Sequence, residues 1–358
     1  MNHRGLISAA ALALVIASVS PAVGPVAGQT TPTYTPPPAT YTPPRTPWGD
    51  PDLQGVYDYP SRLSLERPPE LAGKTTLTDA ELAEWLNPKR ERCGQGTRAN
   101  EKCPEGDPRN FANAGAEDPW GASRKIVKDN RTSLLVDPPD GRFPPLTPEA
   151  EKRRREILAS HNIRQPYSDI PDTYASWEDF YSLTRCIASH TPNGPMGYNS
   201  GTYIMQSPGW VVIVRERLDT RFIALDGRAH IGRNIRQWNG DSIGHWEGNV
   251  LVVDTTNFTD KQHMGGVTAG IIGRAGMPFG NFHLTERFVP VSENRIHYYA
   301  TVEVPKTWTR PRTIMIPWER DPEYQIFEYA CNEGATSIGN ILRGERMQEA
   351  EAAKKGNK

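Results

Sequence analysis

The chain has no excess of charge of either sign. Its 41 lysines and arginines nearly balance its 42 aspartates and glutamates, which gives a formal net charge of −1. A protein that binds nucleic acid or an anionic membrane needs a strongly basic face. The composition therefore argues against both classes of partner.

The sequence also lacks the short motifs of the best-known cofactor and metal sites. It contains neither HExxH nor CxxC, and neither the Walker motif nor the dinucleotide glycine fingerprint. We therefore expect no cofactor and no metal. The alternative is a metal held by histidines that meet only in space, and the candidates are His230, His245, His263 and His283.

Past its N-terminus the chain has no apolar run long enough to cross a bilayer. The apolar run at residues 6–19 follows Arg4 and precedes small residues near Gly28, which is the pattern of a cleavable secretory signal. We expect residues 1–28 to be a signal peptide and the mature protein to be periplasmic or secreted, without membrane attachment. An uncleaved anchor is the alternative.

Composition divides the rest of the chain. Residues 29–47 are rich in Thr and Pro, and such a stretch has too few apolar residues to offset its ordering entropy, so we predict a disordered tether. Residues 48–346 are predicted to form a single β-rich domain, with an irregular and helical wrap over 48–180 and a barrel over 181–346. Residues 347–358 form a charged C-terminal tail.

The four cysteines of an exported chain are expected to form disulfides. They allow three connectivities. We favour Cys93–Cys103, which closes a short loop, and Cys186–Cys331, which ties the start of the strand region to its end. A reactive or metal-bound thiol is the alternative.

Two segments of the wrap carry helix-start signals. Thr78 and Glu81 have the spacing of a capping box, and Thr147 stands before Pro148 as an N-cap stands before a first helical residue. We therefore predict two helices before the barrel.

From residue 198 onward, short apolar runs alternate with turn residues. Tight turns are expected at 207–209, 226–227, 247–249 and 292–294. Short turns without helices favour an antiparallel up-and-down meander that closes into a barrel, with a sandwich as the alternative. The predicted strands are YNSGTYIMQ, WVVIVRERL, RFIALDG, NVLVVDTTNF, FHLTERFVPV, RIHYYATVEV, RTIMIPWER and QIFEYAC.

Three carboxylates share apolar strand faces if residues two apart point the same way. Glu216 follows Val212 and Val214, Asp254 follows Val250 and Val252, and Glu286 lies between Leu284 and Phe288. Directed inward, these acids would meet in a low-dielectric interior, where a buried carboxylate needs a partner. The expected partners are Arg236, Arg310, Arg312 and His245. Structural ion pairs, or outward-facing acids, are the alternative.

Aromatic residues are dense in the same half of the chain. They predict a pocket for an apolar or aromatic molecule, and ordinary packing within a sheet core is the alternative. The residues assigned to this pocket are Tyr198, Tyr203, Trp238, Trp246, Trp308 and Arg310.

Ser242 lies in a G-x-S-x-G match, Gly240 to Gly244. A serine hydrolase needs this serine on a strand-to-helix elbow. A strand follows here instead, so a glycine-rich hairpin loop is the favoured interpretation.

The phrases IRQWNGDSIGHWEGNVLVVDTTNF, RTSLLVDPPDGRFPPLTPEAEKR, TWTRPRTIMIPWER and EYACNEG resemble signatures of a large, mostly uncharacterised family of exported bacterial proteins. The resemblance covers about residues 48–346 and implies a calycin-like, or lipocalin-like, β-barrel. Family members carry His where this chain has Asn332, and they tend to carry His in the region of Arg217, Leu218 and Asp219. A mechanism that uses those histidines does not carry over.

Three functions remain open. The favoured one is a cofactor-independent lyase or isomerase acting on a small apolar or aromatic molecule, with Glu216, Asp254 or Glu286 as the general base and Arg236 or His245 stabilising negative charge. The second is a ligand-binding barrel without turnover. The third is a serine hydrolase that uses Ser242.

Overall fold

A computed structural model describes residues 34–59, 63–85, 129–160, 174–180, 182–188, 191, 199, 201–261 and 282–356. The helices in this part are α1 (Asp79–Trp85), α2 (Pro148–Ser160) and α3 (Ser337–Gly356). The strands are β1 (Gly55–Asp58), β2 (Leu135–Asp137), β3 (Thr202–Ser207), β4 (Trp210–Arg215), β5 (Thr220–Ala224), β6 (Asp241–Glu247), β7 (Val250–Thr256), β8 (His283–Ser292), β9 (Arg295–Glu303) and β10 (Arg312–Arg320).

All ten strands belong to one sheet, in the order β1-β3-β4-β5-β6-β7-β8-β9-β10-β2. The sheet closes on itself because Tyr57 and Asp58 of β1 also pair with Arg320 and Glu319 of β10. Strand β2 pairs with the other half of that edge of β10. All strands but β2 thus form a closed barrel, which leaves little unpaired edge. The predicted class, a mainly β barrel with N-terminal helical and irregular embellishments, is confirmed.

The up-and-down order is interrupted once, between β5 and β6. These two strands run parallel, with Ile223 opposite Ser242 and Ala224 opposite Ile243. Parallel neighbours cannot be joined by a tight turn, because the chain must first return along the barrel. Residues 225–240 make this return without a helix or strand of their own. The predicted pure meander is therefore wrong at this point.

Three of the four predicted tight turns join neighbouring strands, whereas the one predicted at 226–227 lies in the crossover between β5 and β6. Residues 208–209 join β3 to β4 and residues 248–249 join β6 to β7. Gly209 and Gly248 have φ values of +78° and +63°, a region that glycine enters without a side-chain penalty. These short connections keep sequence neighbours paired in the sheet.

The barrel interior holds the main apolar core. Trp318 stacks on Tyr59 and Tyr298, with ring centroids 5.4 and 4.8 Å apart, and Phe288 meets it edge-on at 5.5 Å. Each of these rings is buried. This part of the interior is therefore filled by side chains.

Part of the predicted tether lies against the outer face of the barrel. Tyr34 and Ala39 pack on a second apolar cluster, and the Tyr34 ring lies 6.1 Å from that of Tyr299. Arg45 also donates a hydrogen bond to Asn249 at 3.0 Å. Residues 34–47 are thus not a free tether. The buried members of this cluster are Val250, Val252, Val289, Tyr299 and Met315.

Several local predictions can be compared with the structure. The helices after Thr78 and Thr147 are confirmed as α1 and α2. The segment QIFEYAC is not a strand, whereas GDSIGHWE, predicted as a loop, forms β6. Most of the predicted charged tail is the second half of α3.

One disulfide joins Cys186 to Cys331, whose Cα atoms are 5.6 Å apart. This pairing is as predicted and is compatible with an oxidising compartment. Cys93 and Cys103, like the predicted signal peptide, lie outside the described residues. Within the described ranges, every helix is too short or too polar to span a bilayer.

Candidate functional site

The three predicted acids do not meet in one cavity. Glu286 lies inside the barrel, Asp254 lies on its outer face, and Glu216 lies beyond the end of β4. Val211 and Ile213 of β4, not Val212 and Val214, are the fully buried residues. The predicted faces of β4 and β7 are therefore reversed, and only that of β8 is correct.

Glu286 is enclosed by hydrogen-bond donors. Arg221 binds its two carboxylate oxygens at 2.9 and 2.5 Å, and the Tyr298 hydroxyl donates at 2.6 Å. Arg221 also donates to the hydroxyls of Ser242 and Thr255 at 3.0 and 3.1 Å. We call these five residues the inner cluster. All of them are buried, so the predicted burial of Glu286 holds, with Arg221 as its cation instead of Arg236, Arg310 or Arg312.

Burial lowers the pKa of the Arg221 guanidinium, but the charge and hydrogen bonds of Glu286 outweigh it and raise the pKa overall. The inner cluster is therefore a fixed ion pair, whose members already bind one another.

Glu216 has different partners. Asn199 donates to its carboxylate at 2.6 Å and the Tyr324 hydroxyl donates at 2.5 Å. The residue is 5% exposed. It holds segments of the chain together at the end of β4, away from the other two acids.

Asp254 accepts hydrogen bonds from two histidines on the outer face of the barrel. The Nε2 atom of His230 lies 2.7 Å from Oδ1, and the Nε2 atom of His283 lies 2.5 Å from Oδ2. The Asp254 side chain is 40% exposed, so water reaches it. This carboxylate is thus held between two imidazoles in contact with water.

Each of these histidines faces a further carboxylate. The Nδ1 atom of His230 lies 2.8 Å from Asp241, and the Nδ1 atom of His283 lies 3.6 Å from Glu303. The result is a line of five alternating side chains across four strands and the crossover loop. We call Asp241, His230, Asp254, His283 and Glu303 the outer row.

Three members of the outer row have displaced pKa values, which are lowered for Asp254 and Glu303 and raised for His283. Burial raises the pKa of Asp254, but hydrogen bonds and charge from His283 and His230 outweigh it and lower the pKa. The hydrogen bond to Asp254, followed by the contact with Glu303, raises the pKa of His283 to about 10. At neutral pH the row therefore holds an ionised carboxylate beside a protonated imidazole.

Strand pairing and the crossover together position the outer row. His283 lies opposite Glu303 on β9, and Asp254 lies on β7 between β6 and β8. His230 arrives from residues 225–240, the crossover that β5 and β6 require. The interruption of the meander is thus what brings His230 to Asp254.

The geometry does not favour a metal in the outer row. Both Nε2 atoms are directed to Asp254, on different oxygens. Among the residues that the structure describes, no group of three or more histidine, cysteine or acidic side chains is arranged to hold a metal ion. Of the other predicted histidines, His245 is exposed and contacts Glu247, and His263 lies outside the described residues.

The predicted cationic partners have other contacts. Arg236 donates to the Phe258 carbonyl at 3.2 Å, and Arg310 binds both carboxylate oxygens of Asp137 at 2.7 Å. Arg312 is buried beside the rings of Phe143 and Trp308, and desolvation lowers its pKa to about 9.

The aromatic residues of the predicted pocket are dispersed. Trp308 stacks on Phe143, and Trp246 packs against the main core. Trp238 lies 5.5 Å from the Arg185 guanidinium, whereas Tyr203 is 39% exposed on the outside. Tyr198 lies outside the described residues. Each described ring has its own packing environment, and the structure does not gather them around one cavity.

Ser242 is a strand residue of β6 whose side chain points into the barrel. Its hydroxyl contacts Arg221 and Thr255, and neither group can act as its general base. The elbow that a serine hydrolase needs is replaced by a strand, so we do not take this hypothesis further.

A small cavity lies between the N-terminal segment and the turn from β8 to β9. Its volume is about 70 Å³, and Tyr41, Leu53, Tyr57 and Arg320 contribute to its walls. This is well below the roughly 300 Å³ of an ordinary small-molecule pocket. The cavity therefore supports no ligand of the predicted kind.

Sequence reasoning named Asp254 but missed the rest of its surroundings. The sequence suggests His230 and His283 as possible metal ligands, and it indicates no role for Asp241 or Glu303. The position of His283 was readable, because it alternates with buried Leu284 on β8. The periodicity of apolar residues does not indicate the crossover loop that carries His230.

Comparisons of the chain with family models, with curated proteins and with solved structures each found no match. The resemblance to the exported bacterial family therefore stays a prediction. The case for function depends on the geometry of the outer row.

Proposed function

We propose that the outer row performs acid–base chemistry on a small molecule, as a lyase or isomerase that needs no redox cofactor. The single observation that carries the proposal is the position of Asp254, which accepts hydrogen bonds from His230 and His283 while its side chain stays 40% exposed. An isomerase of this kind removes a proton from one carbon and returns one to another, whereas a lyase removes a proton from carbon and expels a leaving group, which the acid can protonate.

The displaced pKa values assign the roles. An ionised Asp254 accepts the proton, and the protonated His283 beside it donates to, or stabilises, the oxygen on which negative charge develops. Neighbouring groups whose environments separate their pKa values are the usual arrangement for acid and base in one site. We keep a small molecule as the substrate but not its apolar or aromatic character, because the aromatic residues that suggested it are dispersed. We place the protein in the periplasm or outside the cell.

The inner cluster is less suited than the outer row to acid–base chemistry on a small molecule. Arg221, Tyr298 and the Ser242 and Thr255 hydroxyls already bind one another around Glu286, and all are buried. A substrate would have to displace a buried ion pair, which is strongly unfavourable. The reactive carboxylate is therefore the exposed one.

Deuterium exchange tests the proposal without knowledge of the substrate. The purified protein is incubated in D2O with fractions of small metabolites, and mass spectrometry detects compounds that gain deuterium, rearrange or undergo elimination. We expect at least one such compound with the wild-type protein and none with Asp254→Asn.

Glu247→Gln is the matched control, because Glu247 is also an outer-face carboxylate that contacts a histidine and a cation. Its activity should equal that of the wild type. Exchange that persists in folded Asp254→Asn protein, or that is lost equally in both variants, rejects the proposal.

A further inference from the structure

Asn257 follows directly after β7 and ties that strand to the crossover loop. Its side-chain Nδ2 donates to three carbonyls of the loop, those of Ile231, Gly232 and Ile235, at 2.9, 3.1 and 3.2 Å. The residue is 8% exposed and has a φ of +59°, a conformation that asparagine tolerates better than most residues. The side-chain amide of Asn257 thus binds three carbonyls within one turn of the crossover loop.

Backbone bonds reinforce the same connection. The Gln237 N–H donates to the Asn257 carbonyl at 2.9 Å, and the Thr259 N–H donates to the Gln237 carbonyl at 2.8 Å. On the other side, Asp241 accepts from the Ile231 N–H at 3.1 Å as well as from His230. The loop is held at both ends of the turn that follows His230.

These contacts fix the orientation of one imidazole. His230 immediately precedes Ile231, the first residue whose carbonyl Asn257 binds, and Asn257 lies three residues after Asp254. Strand and loop therefore keep a constant separation where the His230 Nε2 atom meets Asp254 at 2.7 Å. His283 belongs to β8 and is positioned by the sheet instead.

We propose that Asn257 is a positioning residue of the outer row, whose amide aligns His230 with Asp254. The inference rests on the proposed acid–base function for its effect on turnover, but not for its effect on the geometry of His230.

Asn257→Asp tests this inference. The variant keeps the size and the tolerance for positive φ, but replaces the donor by an oxygen that faces three carbonyls. The ring 15N signals of His230 and His283 are measured by NMR at one neutral pH. We expect the His230 signals to shift and those of His283 to change little, because the Asn257 Nδ2 atom donates to carbonyls of the crossover loop, which carries His230 but not His283.

Turnover, where the wild type shows it, should fall by about 100-fold in Asn257→Asp, since a displacement of about 1 Å in a catalytic group has an effect of this order. Asn249→Asp, in the exposed turn after β6, is the matched control and should change neither reading. If Asn257→Asp does not fold, Asn257→Gly keeps the positive φ and removes the amide.

Unchanged His230 signals in a folded variant would overturn the inference, and so would equal shifts of both histidines, which indicate general loosening. A wild-type protein that shows no turnover contradicts the proposed function alone, because the NMR comparison still decides the role of Asn257.

Discussion

Two carboxylates on adjacent strands of the barrel have cationic partners but opposite surroundings. Glu286 of β8 points inward and is 1% exposed, whereas Asp254 of β7 points outward with a side chain that is 40% exposed. The first is sealed between Arg221 and Tyr298, and the second lies between two histidines in contact with water. The difference separates a role in stability from the role in chemistry that we propose.

Burial determines what each charge can do. In the interior, removing one member of an ion pair leaves the other uncompensated, so both must stay in place. On the surface, water screens the charges, and a bound proton can leave or arrive. A substitution in the inner cluster should therefore change folding, and one in the outer row should change titration and turnover.

The largest effect should follow Glu286→Gln. The variant leaves the Arg221 guanidinium buried without its counter-charge, which we expect to lower the free energy of unfolding by about 3–5 kcal/mol. Urea denaturation measures it, with Glu247→Gln on the outer face as the control, expected to cost less than about 1 kcal/mol. Similar losses in the two variants would remove the distinction between inner and outer carboxylates.

A smaller effect should follow Tyr298→Phe. It deletes one hydrogen bond to the buried Glu286 carboxylate and leaves the ion pair intact, so the expected loss is about 2 kcal/mol. The same denaturation experiment measures it. A loss as large as that of Glu286→Gln would mean that Tyr298, and not Arg221, is the principal partner of Glu286.

The sequence is sufficient for the inner carboxylate because β8 alternates cleanly. Leu284, Glu286 and Phe288 are buried, whereas His283, Thr285 and Arg287, which alternate with them, are not. Period-two alternation is the expected pattern of a strand with one solvated face. The inward direction of Glu286 could thus be predicted, whereas that of Arg221 could not, because the buried Arg221 alternates with Phe222, an apolar residue that is 65% exposed.

The same reasoning fails for Asp254 because β7 is covered on both faces. Leu251 and Val253 face the interior, but Val250 and Val252 are also buried, under the N-terminal segment that contains Tyr34. The sequence of a strand that is buried on both sides is a continuous apolar run, from which the inward face of the strand cannot be predicted. The orientation of Asp254 therefore could not be predicted without knowing that a distant segment covers the outer face of β7, and composition alone indicates that this segment is a tether.

Asp254→Asn should have a small effect on stability and a large one on titration. The ion pair with His283 is half exposed, so the expected loss is at most about 1 kcal/mol. The pKa of His283 should fall from about 10 towards 6.5, because the hydrogen bond to Asp254 is the first cause of the rise. NMR titration measures it, and a His283 pKa that stays near 10 would assign the rise to Glu303.

The smallest expected effect is a pH dependence of stability that originates in the outer row. Because folding raises the pKa of His283 from 6.5 to about 10, its contribution is complete below pH 6.5 and disappears as the pH rises through about 10. The ring is 36% exposed, so screening by water limits the contribution to about 1 kcal/mol or less.

In His283→Gln the free energy of unfolding should vary less over this pH range than in the wild type, whereas Tyr298→Phe should keep the wild-type slope. Parallel curves for His283→Gln and the wild type would mean that His283 is not protonated preferentially in the folded protein, and Asp254 would then lack the acid that the proposed chemistry requires.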